Sequence, residues 1–162
     1  MDLVLLVRWL HVLGATVLLG TGAGIAFFML MARRTGRPEL IAHVAGTVVV
    51  ADLVFTATAV VAQPVTGAIL AQLIGWRLTE GWIVLSLGLY VLTGVCWLPV
   101  VWIQLQLRVL ARAAAAAAGE PLSPRFERLY RLWLVLGFPA FASVLAIIWL
   151  MLARPAIPMP WR

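Results

Sequence analysis

The chain has 162 residues, 64% of them apolar and only 11% charged, against about 25% charged for a soluble domain. A soluble chain of this size cannot hide so much apolar surface, so the composition implies an all-α integral membrane protein with one domain, its outer surface covered by lipid. The net charge of +6 comes from arginine with no lysine. In so apolar a chain those clusters report topology rather than nucleic-acid binding. The single cysteine, Cys96, rules out a disulfide framework and a CxxC metal pair.

A spanning helix takes about 20 apolar residues, and four stretches reach that length: 3–32, 41–74, 82–111 and 129–153. The first has no basic segment ahead of it and is too long for a cleavable signal, so it is expected to remain as a span. It carries Arg8 and His11, and below His11 the same helical face continues through Ala15, Leu18, Gly22 and Ala26. Small residues there admit a close helix neighbour or leave room for a flat ligand. His11 has two readings: a neutral, hydrogen-bonded residue of the bundle interior, or an axial ligand to haem iron or another metal. Arg8, one turn earlier, either snorkels to outer phosphates or meets a carboxylate such as a propionate. Gly20 and Gly24 form a close-packing GxxxG pair.

The first break, "RRTGRPE", has Gly36 as a helix stop and Pro38 as a first-turn residue. The second helix then bears Asp52, Thr56, Ala59, Gln63 and Thr66 at alternating steps of four and three, one face of a helix. Asp52 reads as neutral, or as bonded to Trp97 or Thr21; the alternative is a proton relay. His43, near Arg33, Arg34 and Glu39, reads as interfacial. In "GWRLTEG" Gly75 is the stop and Thr79 the N-cap. The third helix repeats the pattern with Ser86, Tyr90, Thr93, Trp97, Val101, Gln104 and Arg108. Its alanine run 113–118 predicts an extension beyond the membrane as a stalk. "AGEPLSP" supplies Gly119 as a stop, Ser123 as N-cap and Pro124 at the first helical position of the fourth helix. Pro64, Pro99 and Pro139 each remove a backbone hydrogen bond inside a helix, giving simple curvature or a bundle splayed around a pocket. The polar faces have their own plain reading as interhelical hydrogen bonding.

The loop after the first helix and the segments around the third connection hold Arg33, Arg34, Arg37, Arg108, Arg112, Arg125, Arg128 and Arg131; the opposite side holds Arg8, Arg77, Arg154 and Arg162. The excess places the first side in the cytoplasm and both termini in the periplasm of a bacterial cytoplasmic membrane. Trp76, Trp82 and Trp161 then fall at the outer interface. Short connections make an up-down-up-down bundle. At about 1.5 Å per residue, His11, Gln63 and Tyr90 share a level roughly 12 Å inside the outer boundary. Asp52 and Trp97 fall near the midplane, and Gln104 and Arg108 approach the inner surface. His43 is roughly 20 Å or more from His11 along the normal, so the two histidines of one chain do not share a metal. A second axial ligand would come from another residue or from His11 of a second copy in a homo-oligomer, or the position would stay open.

"RWLHVLGATVLLGTGAGIAFFMLMARR", "ADLVFTATAVVAQPVTG" and "CWLPVVWIQLQLR" together resemble a bacterial family of predicted four-span integral membrane proteins catalogued as a domain of unknown function. "RWLH" also looks like the start of the copper-resistance D-like group, which includes the HemJ-type protoporphyrinogen oxidases. In that group the first-helix histidine is implicated in binding haem b, and the resemblance carries that role to His11.

Three functions follow as expectations. The first is a b-type haem protein with His11 as axial ligand, Gln63 or Tyr90 tuning or completing the site and Arg8 on a propionate. The second is a transport or ion-conducting component using Asp52, Gln104 and Arg108. The third is a structural or assembly subunit whose polar faces only pair helices. No paired carboxylates, Ser/His/Asp set or phosphate-cradling glycine loop supports hydrolysis.

Overall fold

In the computed structural model residues 2–117 and 121–158 are described; Gly119, Trp161 and Arg162 of the sequence reading lie outside them. The helices are α1 (Leu3–Arg34), α2 (Pro38–Ala51), a π-helical turn (Asp52–Thr56), α3 (Ala57–Ile74), α4 (Gly81–Ala116) and α5 (Pro124–Ala153). The π turn joins α2 and α3 into one 37-residue span, so four long apolar helices cross the membrane. The chain is an all-helical integral membrane protein with four spans.

The ends follow local chemistry. Asp2 caps α1 by accepting from the Val4 N–H at 3.0 Å. Gly36 and Gly75 take left-handed φ values of 66° and 83°, a region that only glycine enters without a Cβ penalty. At Gly75 this allows the Trp76 N–H to reach back to the Ala71 carbonyl at 2.9 Å, the Schellman closure. Pro38 and Pro124 each open a helix, and Ser123 accepts from the Phe126 N–H at 3.2 Å. Thr79 is not the N-cap of α4. A tight turn from Arg77 to Glu80 (N–H to carbonyl, 2.9 Å) moves the cap to Glu80.

The second span changes partners halfway. Its first part, α2, packs on α4, whereas its second part, α3, packs on α1 and makes no comparable contact with α4. α4 and α5 stay together along their length, and α1 touches α5 lightly. The exchange happens at the π turn, where the Ala57 N–H bonds to the Asp52 carbonyl five residues back. Such an inserted residue rotates and tilts everything beyond it.

Below the turn the four spans close tightly. Ile41, Ile103, Leu107, Ala111 and Phe126 are fully or almost fully buried there. Phe126, Tyr130 and Trp133 stack along α5 with centroids 6.2 and 5.9 Å apart. Arg33 on α1 pairs with Glu127 on α5 at 2.5 Å. The end of α4 is not a free stalk: Ala111 is buried and Ala115 packs on the same core, because alanine lets a neighbouring helix come close. At the outer end Trp82, Ile83 and Leu150 make a second small core. Trp82 is therefore buried, with Trp76 edge-on to it at 5.2 Å and the Arg154 guanidinium 4.4 Å over Trp76.

Candidate functional site: a cavity within the membrane

Where α3 leaves α4, the pairs α1/α3 and α4/α5 enclose a cavity of about 430 Å³, within the size range of small-molecule sites. α1 contributes Ala15, Leu18, Gly22 and Ala26; the second span contributes Asp52, Thr56, Val60 and Gln63. α4 adds Tyr90, Thr93, Trp97, Val100 and Gln104, and α5 adds Trp133, Gly137, Phe138, Phe141 and Ile148. The wall is largely hydrocarbon and aromatic ring. The wall of the second span differs from the face read in the sequence at one step: Val60 lines it, while Ala59 is buried elsewhere and Gln63 keeps its place. Val100 likewise replaces Val101 next to Pro99.

Most polar groups around the cavity are satisfied. Pro64 has no N–H, so the Val60 carbonyl four residues earlier loses its helical partner. The Tyr90 hydroxyl, reaching across from α4, donates to that carbonyl. Thr93 donates to its own helix at the Leu89 carbonyl, 2.9 Å. At the inner end the balance differs. The Trp97 indole donates to Asp52 Oδ1 at 3.2 Å, but Asp52 Oδ2 and the neighbouring Thr56 hydroxyl lie close without forming a proper hydrogen bond. The Trp133 indole N–H has no partner either. Asp52 is 4% exposed and Trp133 5%, so lipid and water do not reach these atoms. Each unpartnered buried polar group costs about 1–3 kcal/mol. Gln104 is buried beside them, its amide in no hydrogen bond among the described residues.

His11 stands just outside this cavity. Its ring lies against α3 at Gly67, where a Cβ would come within 3.2 Å of Cε1. Its Nδ1 is 2.9 Å from the Thr66 hydroxyl. That hydroxyl can also donate to the Ala62 carbonyl at 2.7 Å, and which partner donates in the His11–Thr66 bond follows from the imidazole tautomer. The Gln63 amide, which also lines the cavity, donates to the His11 carbonyl at 2.8 Å. Arg8 is exposed and in no ion pair among the described residues.

The structure thus gathers Asp52, Thr56, Gln63, Tyr90, Trp97 and Gln104 in one cavity. His11 lies at its rim, Arg8 lies outside it, and Arg108 lies in a separate groove with His43. Beside Gln104, Met29, Ala45, Val48, Leu107 and Trp133 leave no room for a water molecule. Asp52 and Gln104 line the cavity, and Arg108 lines the other groove. Among the described residues no three His, Cys, Asp or Glu side chains group as metal ligands. Trp133 was missed in the sequence because α5 has no polar stripe. Its place three residues after Tyr130 and seven after Phe126, on one helical face, was the available signal.

Fold and cavity together define a small four-span membrane bundle with an internal binding-sized space. The chain belongs to the family described as "Predicted integral membrane protein (DUF2269)", whose model matches residues 5–155. No curated protein and no solved structure matches it.

The Pro64–Tyr90 relationship gives a direct test. Tyr90→Phe is expected to lower stability by about 1 kcal/mol, measured by denaturant titration in detergent. In a Pro64→Ala background, which returns an N–H to the Val60 carbonyl, the same change should cost almost nothing; equal costs in both backgrounds would refute the link.

Proposed function

We propose that the protein is a membrane binding protein for a lipophilic small molecule with a hydrogen-bonding head, held in the cavity between α1/α3 and α4/α5. The observation that carries this reading is the coincidence of an apolar, aromatic-walled space of about 430 Å³ with buried, unpartnered groups at one end. A buried polar atom without a partner is a standing cost in lipid, and a polar head that draws the Asp52 or Trp133 side chain out toward the cavity on binding removes it. Trp97, Trp133 and Phe141 offer flat faces to a ring system. Entry runs laterally from the acyl chains between α1 and α5, where the two helices touch lightly and Phe138 is 74% exposed.

A second reading has its own observation. In the tautomer whose Nδ1–H donates to Thr66, His11 presents the Nε2 lone pair that an axial haem ligand needs, and the hydroxyl plays the orienting role usual behind a ligating histidine. A haem on this histidine would lie outside the cavity, from which the ring points away toward Gly67, with Arg8 one turn away for a propionate. Bound there, the haem would supply one-electron chemistry. Thr66 and Gln63 would keep the imidazole's tautomer and helix position fixed. The protein's place is a bacterial cytoplasmic membrane, with the arginine-rich end inside.

Organic extraction of purified protein followed by mass spectrometry should recover a lipophilic compound near one per chain. Gly22→Trp, which fills the cavity, should lose it while circular dichroism stays unchanged; a wild type that retains nothing contradicts the binding reading. Protein from haem-replete cells should show a Soret band that His11→Ala abolishes and Gly22→Trp keeps, and a colourless wild type removes the haem reading alone. For orientation, Thr35→Cys should react with a membrane-impermeant maleimide in inverted vesicles and stay unlabelled in intact spheroplasts. The reverse pattern would invert the topology.

A further inference from the structure

We propose that the groove between α2 and α4 at the arginine-rich end is a specific site for an anionic phosphate group, that of a membrane lipid or of free phosphate. The groove, about 480 Å³, is lined by His43, Gly46, Thr47, Val50, Arg108 and Arg112. It faces outward from the bundle: His43, Thr47, Val50 and Arg112 are exposed, and Arg108 is half-buried. Neither Arg108 nor Arg112 forms an ion pair or hydrogen bond among the described residues, and Arg108 Nε is enclosed without a partner. By contrast, Arg33 is paired with Glu127, and Arg125 donates to Gln106.

The arrangement is built rather than incidental. Arg108 and Arg112 lie one turn apart on the same face of α4. Opposite them, the Arg112 guanidinium lies beside Gly46, at ordinary contact distance (3.9 Å) from where a Cβ would sit. Two guanidinium groups without counter-charge favour a phosphate, to which arginine binds through two parallel bonds. His43 and Thr47 add donors at the edge. The groove is also graded along the membrane normal. From His43 to Val50 it runs about 10 Å deeper and ends in hydrocarbon, so a headgroup at the arginines leaves an acyl chain along Val50. That gradient favours the lipid source.

Native mass spectrometry in detergent supplies the test, with phosphatidylglycerol, phosphatidylcholine and inorganic phosphate as probes. The wild type should retain one phosphatidylglycerol per chain and bind phosphatidylcholine far more weakly. R108Q/R112Q should lower phosphatidylglycerol affinity about thirtyfold, each arginine contributing about fivefold. R108K/R112K, which keeps both charges, should retain binding, and R128Q/R131Q, which removes two exposed charges outside the groove, should leave it unchanged. Displacement of the lipid by millimolar inorganic phosphate identifies a headgroup-sized phosphate site; resistance to it identifies the lipid as ligand. Equal loss in R108Q/R112Q and R128Q/R131Q, equal binding of phosphatidylcholine, or no adduct with either anion overturns the proposal.

Discussion

The second span cannot pack on α1 and α4 at once along its whole length, and its π turn resolves that conflict by letting it choose a different neighbour on each side of the midplane. The turn adds one residue between Asp52 and Ala57 and so swings α3 away from α4. Below it, every helix finds a close partner and the interior fills with Ile103, Leu107 and the ring ladder of α5. Above it, α4/α5 and α1/α3 are two separate pairs with space between them. The cavity lies where α3 and α4 part beyond the turn, and small residues, Ala15, Gly22, Ala26 and Gly137, keep its walls back.

A bilayer gives that geometry a price in polar groups, since no water is present to satisfy them. Most are settled locally: Thr16, Thr58 and Ser86 return their hydroxyls to their own helices. One is settled across the bundle, where Tyr90 serves the carbonyl that Pro64 orphans. That bond also ties the outer half of α3 to α4 across the gap, so it limits how far the two pairs separate. Among the groups left unsatisfied in the described residues, Arg33 Nε, Arg108 Nε and the Tyr130 hydroxyl lie away from the cavity, and Asp52 Oδ2, the Thr56 hydroxyl and the Trp133 N–H lie at it. Asp52 and Thr56 bound the π turn itself, and Trp133 closes the cavity floor beneath them. Irregular backbone and unpaired side chains at membrane depth are tolerated where they face a cavity, and here both occur at the same level.

Much of this was legible in the sequence. The four spans follow from hydropathy alone, and Gly36, Gly75, Pro38, Ser123 and Pro124 mark ends where caps form. The faces holding Ala15, Leu18 and Gly22, Asp52, Thr56 and Gln63, and Tyr90, Thr93, Trp97 and Gln104 do line one space. What failed was register. A period of about 3.6 residues admits either of two neighbours at such a step, so Ala59 and Val101 were read onto faces where Val60 and Val100 stand. Depth counting put His11 level with Gln63 and Tyr90, and Gln63 does reach its backbone. Rotation about the helix axis decides the rest, and one turn of α1 turns the ring from the cavity toward Gly67 and Thr66. The absence of any polar stripe on α5 concealed Trp133, whose only polar atom is a single N–H.

The same helix, α4, carries both the cavity's floor and the basic groove, with Gln104 and Arg108 one turn apart. Beside Gln104, the layer of Met29, Val48, Leu107 and Trp133 is too dense for water. Close-packed interiors of this kind transmit strain rather than deform, yet they also keep charge out. Arg108 and Asp52 form no ion pair among the described residues, although both sit near the same stretch of α4. The proposed guest would meet the carboxylic group inside the bundle, and the proposed anion would meet the guanidinium outside it. The fold separates two chemistries that the linear sequence places along one polar face.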